Sequence, residues 1–157
     1  MHEDHDNERK ERAWRVFLSA NVQLMERLDQ ELQQRSHLNL TDYEILSVLS
    51  GAPDRRLRMS DLARQVLVSR SRLTYRVDRL AEVNFVTREE CEDDRRGLWA
   101  ILTDDGANAL ASAKVGHDRD IDNWFFDHMG DEELAILTDV MSRIDGKLTN
   151  NRNRPGF

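Results

Sequence analysis

LRMSDLARQVLVSRSRLTYRVDRL, residues 57–80, holds two short helical patterns separated by a break. Ser60 is suited to an N-cap, and Leu62, Ala63, Val66 and Leu67 follow at helical spacing. Val68 interrupts the run, and Ser69 offers a second N-cap. Behind it Leu73, Val77 and Leu80 fall in one narrow arc at about 100° per residue. Arg72, Tyr75 and Arg79 lie roughly opposite, with Ser71 beside them and Arg76 on the flank. A short helix, a tight turn and a second helix with arginines away from the core form a helix-turn-helix pattern, in which the second helix enters the DNA major groove. The alternative on this stretch alone is a surface helix with a solvated charged face.

Charge distribution permits this reading. The 157-residue chain has a net charge of −7. From Arg55 to Arg79, however, eight arginines stand against Asp61 and Asp78, a local +6 that leaves −13 for the rest. Such a basic island can meet phosphates while its acidic surroundings repel the duplex elsewhere. With 39% hydrophobic residues, only two prolines and seven glycines, the composition suits a single, mostly helical domain. No apolar run reaches the roughly 18 residues of a membrane span. The N-terminus MHEDHDNERKER lacks the apolar core of a secretion signal. One cysteine permits no internal disulfide and suits a reducing cytoplasm.

Outward from the opening stretch, residues 1 to about 7 read as a loose tail. A long helix follows from about Glu8 to Gln34 or Ser36. Its apolar residues form two adjacent stripes, Ala13–Phe17–Ala20–Leu24–Leu28 and Trp14–Leu18–Val22–Met25. Two stripes suit two partners, the second being another subunit, or else one wide core-facing side. Thr41 is expected to cap a helix carrying Tyr43, Ile45, Leu46, Val48 and Leu49, stopped by Gly51 and Pro53. Pro53 to Arg58 reads as a loop. The second motif helix ends near Val83, with Asn84 able to take the left-handed C′ position. Phe85–Arg88 and Leu98–Leu102 read as strands joined by the polar loop CEDDRRG, a hairpin wing. Thr103 caps a helix running to about Phe126 or His128, and a last helix spans Asp131 to about Thr149.

With the wing included, the sequence resembles the MarR (multiple-antibiotic-resistance regulator) family of bacterial transcription factors. LTDYEILSVL, MSDLARQVLVSRSRLTYRVDRLAEVNFVTR, the DDRR of the wing and LTDDG after it carry the likeness, over about Leu40 to Ala113. The resemblance implies a mainly α fold with a small β-hairpin wing. It assigns residues 1–36 to a tail and dimerisation helix, 37–113 to the winged helix-turn-helix, and 114–157 to C-terminal dimerisation helices and a tail. It also implies a cytoplasmic, non-enzymatic, ligand-responsive repressor that binds a palindromic operator in double-stranded DNA as a homodimer.

The expected DNA-contacting residues are Ser69, Arg70, Ser71, Arg72, Thr74, Tyr75, Arg76, Arg79, Arg95 and Arg96. Arg72 and Arg79 suit guanine edges, and Ser69, Ser71 and Thr74 suit phosphate oxygens. On the family's D-x-R signature, Arg96 reaches the minor groove, Asp94 supports the wing and Arg95 lies near phosphate. The acidic approach through Glu89, Glu90, Glu92 and Asp93 predicts modest or strongly salt-sensitive binding. The resemblance implies a ligand crevice between the dimer helices and the DNA-binding lobe, where Trp14 and Tyr43 are the candidates for an aromatic or phenolic effector and Phe17 is expected to pack in the core. No cofactor, metal or catalytic residue is expected: the chain holds no phosphate-cradling glycine loop, nucleophile elbow, HExxH or CxxC. Alternatives are a winged-helix protein that binds another protein, and a redox-responsive regulator using Cys91. His117 and His128 share a face if their helix is continuous, which keeps a metal in view as a minor reading.

Overall fold

In the computed structural model, α1 (His2–Ser36) and α2 (Leu40–Gly51) lead to a 3-10 turn at Pro53–Arg55 and the short strand β1 (Arg56–Arg58). Then come α3 (Met59–Val66), α4 (Arg70–Glu82), β2 (Val86–Cys91) and β3 (Asp94–Leu102). The helix α5 (Asp104–Trp124), a second 3-10 turn at Phe126–His128 and α6 (Asp131–Arg152) complete the order. The structure describes residues 2–91 and 94–152, with the side chains of 5–91 and 97–149. The chain divides into two compact units, Met1–Asp120 and Ile121–Phe157. The boundary expected at residues 113/114 falls inside α5.

The core of the first unit is built where the helical arcs converge. Leu73, Val77 and Leu80 of α4 are buried with Leu62, Ala63 and Val66 of α3 and Ile45, Leu46 and Leu49 of α2. Leu32 and Leu38 cover them from the end of α1 and the link beyond it, and Val86, Ala100 and Leu102 from the sheet. Each large apolar side chain so buried contributes about 1.5–3 kcal/mol. The arginine face of α4 is thereby turned outward by the packing of its opposite side.

The wing is a three-stranded antiparallel sheet in the order β1-β3-β2. The stretch expected as a loop supplies its extra strand: Arg56, Leu57 and Arg58 pair with Ile101, Ala100 and Trp99. The hairpin is also longer than expected. Cys91 pairs with Asp94 past an irregularity at Glu90/Cys91, so the backbone of Asp94, Arg95 and Arg96 belongs to β3. The residues of this extension are mostly polar, so no apolar alternation marks it in the sequence.

Several helix starts move. Asn39, not Thr41, caps α2, in a reciprocal box with Asp42. Arg58, not Ser60, precedes α3 and makes no side-chain cap. Leu67 leaves the apolar run altogether: it ends α3 in the left-handed region at φ 58° and is exposed. Helix α1 begins at His2, where a loose tail was expected, and α5 stops at Trp124. As expected, Asn84 takes φ 60° after α4, and Thr103 Oγ1 accepts from the Gly106 N–H at 2.9 Å.

Candidate nucleic-acid interface

Ser69 caps α4 by accepting from the Arg72 N–H at 3.3 Å, which fixes where the helix begins. Ser69, Arg70, Ser71, Arg72, Thr74, Tyr75 and Arg79 are all exposed. They form one outward surface from the turn to the third turn of the helix. Tyr75 is 60% exposed, so its ring is available to a partner and contributes little to the core. Thr74 donates its hydroxyl to the Arg70 carbonyl at 2.9 Å, and Ser69 and Ser71 hydroxyls lie 3.2 Å apart. Arg72 reaches back toward the Thr41 hydroxyl at 3.4 Å.

Two arginines of the helix have other partners. Arg79 is paired with Glu82 in an exposed i,i+3 contact, which is energetically weak and readily exchanged. Arg76 is half-buried, and its Nε donates to Asp42 Oδ1 at 2.8 Å while Nη2 bonds the other oxygen. Asp42 is buried and also accepts from the Asn39 N–H, so one carboxylate closes the cap of α2 and anchors α4. Sequence reading placed Arg76 among the DNA contacts and missed Asp42, because a helical wheel cannot show what packs across the wheel's edge. The pair ties Arg76 of α4 to Asp42 of α2.

The sheet carries arginines of its own. Arg56 and Arg58 of β1 both lie against the Trp99 ring, at 4.8 and 5.6 Å from its centroid. Arg88 of β2 pairs with Asp78 of α4 at 2.6 Å, which ties the wing to the recognition helix. The side chains of Glu92, Asp93, Asp94, Arg95 and Arg96 lie outside the described residues, and with them the expected wing contacts.

A second feature lies where α1, α2 and α5 meet. Arg35 bonds Asp120 at 2.5 Å, Glu31 at 2.9 Å and the Gly116 carbonyl at 3.3 Å. His117 is buried beside them with its ring 4.4 Å from that of Tyr43. Burial holds the His117 imidazole below its ordinary pKa, against the opposing pull of Asp118 and Asp120. Trp14, the other effector candidate, is 59% exposed on α1 and stacks on Phe17 at 5.8 Å. Cys91 is buried at the end of β2, which shields a thiol from oxidants. His128 lies in the 3-10 turn after α5, so the continuous helix that would have aligned it with His117 does not form. Among the described residues no His/Cys/Asp/Glu group is arranged to hold a metal.

The sequence model of the MarR family matches residues 37–97, the span that carries this surface. The chain is 30% identical over 140 residues to the HTH-type transcriptional regulator PecS of Dickeya dadantii (strain 3937), covering 86% of this chain and 81% of PecS. The chain belongs to the MarR family. Two solved MarR-family regulators of Streptomyces coelicolor share its fold as well. AbsC is 36% identical with a TM-score of 0.84, over 89% of this chain and 94% of AbsC. Sco3205, solved in complex with DNA, is 35% identical with a TM-score of 0.85, over 88% of this chain and 87% of Sco3205. Membership in the MarR family makes the chain a transcriptional regulator rather than an enzyme. No described helix is long and apolar enough to cross a membrane.

Proposed function

We propose that this MarR-family regulator binds a palindromic DNA operator as a homodimer, with α4 in the major groove and the hairpin tip in the minor groove. The observation that carries the reading is the division of α4 into two faces. Leu73, Val77 and Leu80 lock it into the core, while Arg70, Ser71, Arg72 and Tyr75 are left unburied. A helix held from behind can present donors to base edges without ordering its backbone on binding. The likeness to Sco3205, solved with DNA, supports the same orientation.

Dimerisation is supported by exposed apolar surface on α1, where Trp14, Phe17, Leu18, Val22 and Met25 are each at least 40% exposed. Contiguous apolar surface of this kind marks an interaction site. Two copies would read half-sites about 10 bp apart, or a multiple of that. Repression relieved by an aromatic or phenolic molecule near Tyr43 completes the proposal; Trp14 stands fifteen residues along α1 from Asp29, where that helix meets the start of α2.

The test is binding to the DNA upstream of the protein's own gene, with scrambled DNA as control. Wild type is expected to shift the upstream fragment specifically, Arg72→Ala to lose about 1–3 kcal/mol of discrimination, and Arg96→Ala to weaken binding. Absence of any specific shift at low salt overturns the regulator reading. Wild-type affinity in Arg96→Ala overturns the wing assignment. A thermal-shift screen of phenolic acids, urate-like molecules and metals tests the effector.

A further inference from the structure

Tertiary pairing decides which arginines of the basic stretch have charge to spare. Of the eight from Arg55 to Arg79, Arg55 is paired with Asp104, Arg64 with Asp61, Arg76 with Asp42 and Arg79 with Glu82. Among the described residues, Arg56, Arg58, Arg70 and Arg72 have no acidic partner within 4.0 Å. Arg58 and Arg70 are far apart in sequence, yet both line one groove of about 290 Å³ between α4 and the wing. Ser60, Thr74, Gly97 and Leu98 line it with them, and among the described residues no acidic one does.

We propose that this groove seats a phosphodiester of the DNA backbone, with Arg58 and Arg70 as its two cations and the Ser60 hydroxyl as a further donor. The inference rests on the DNA-binding reading above and adds a contact from β1, outside the helix-turn-helix and the wing tip. Three observations favour a backbone phosphate here. The groove is cationic and lies beside the exposed N-terminal turns of α4, where a duplex entering along that helix would bring its strand. Thr74 has already spent its hydroxyl hydrogen on the Arg70 carbonyl, so the donors left are the two guanidiniums and the Ser60 hydroxyl, a mainly charged set that suits an anion better than a base edge. Arg58 is also held in advance: it is half-buried, and its guanidinium lies over Trp99, its registered partner on β3. Ordering it on binding therefore costs little side-chain entropy.

Arg56 provides the control, because it rests on the same Trp99 ring but does not line the groove. The experiment measures the affinity of wild type, R58Q, R58K, R56Q and R70Q for the upstream fragment and for scrambled DNA, each across a salt series. R58Q is expected to raise Kd about tenfold on both DNAs, as loss of one charged hydrogen bond does. It should also flatten the plot of log K against log salt by about 0.9 per bound protomer. R58K should keep the slope, R56Q should match wild type, and R70Q should reproduce the R58Q slope from the other wall of the groove. If R58Q does not fold, by circular dichroism, R70Q and R58K carry the same comparison.

An unchanged slope in R58Q and R70Q, or a loss confined to the upstream sequence, overturns the phosphate seat. Stabilisation of the DNA-free wild type by millimolar inorganic phosphate, with R58Q binding both DNAs as wild type does, reassigns the groove to a free anion and overturns the phosphodiester seat. Wild type that binds no DNA at low salt brings down the regulator reading itself. Wild type that binds, with R58Q indistinguishable from it, brings down only the groove.

Discussion

Gly106 shows how little room the start of α5 leaves. A Cβ there would lie 2.1 Å from the Phe85 carbonyl oxygen and 2.8 Å from Leu102 Cδ1. The backbone at Phe85 cannot retreat, because its N–H bonds the Leu80 carbonyl at 2.9 Å and its carbonyl accepts from Thr103 at 3.1 Å. Gly106→Ala should therefore cost about 3 kcal/mol, read as a lower urea midpoint with an unchanged slope. Asp42 is the second residue on which much depends. Its removal would break the reciprocal half of the α2 capping box and leave the Arg76 guanidinium without its partner. Asp42→Ala should cost about 2–3 kcal/mol, less than a fully buried pair because Arg76 is partly exposed. Asp42→Asn, which can keep the cap but not the charge, should lose less.

At the scale of elements, the contacts among α1, α2 and α5 carry a pH dependence. His117 of α5 faces Tyr43 of α2 and lies beside Lys114, Asp118 and Asp120 of its own helix. Its folded-state pKa is lowered from 6.5, chiefly by burial. The unfolded chain then takes up the proton first, so the stability contributed by neutral His117 is complete above about pH 6.5 and is lost as pH falls through the lowered value. Urea unfolding at pH 7.5 and 5.5 should show a larger drop for wild type than for His117→Gln; equal drops would refute it. The elements themselves differ in legibility. Helix α4 could be read to within a residue, since its cap, its apolar arc and Asn84 all point to the same ends. Strand β1 could not, because three residues reading Arg-Leu-Arg carry no periodic signal until β3 is beside them.

For the whole molecule, α1 extends its apolar residues well beyond what the first unit covers. Leu28 and Leu32 are buried and Leu24 is half-buried, but Ala13, Phe17 and Ala20 of the first stripe are as exposed as the second. The boundary between covered and uncovered apolar residues thus runs along the helix rather than around it. Val22, which is 51% exposed, lies in the unburied part. Val22→Glu should give a monomer in sedimentation at micromolar concentration and raise the operator Kd at least about tenfold, through lost avidity. A dimer with wild-type affinity would show that this face does not join the subunits.

The helix-turn-helix, the hairpin and the family were all determined by local chemistry: caps, apolar arcs, turn residues and their order along the chain. These signals survive in one dimension because each depends on neighbours within a few positions. Which arginines of residues 57–80 remain available to DNA was decided only by the tertiary structure. Asp42 takes Arg76 from thirty-four positions away, while Arg58, resting on the Trp99 ring, keeps its charge unpaired among the described residues. Coulombic and hydrogen-bonded pairing depends on distance in space, and only the folded chain sets that distance.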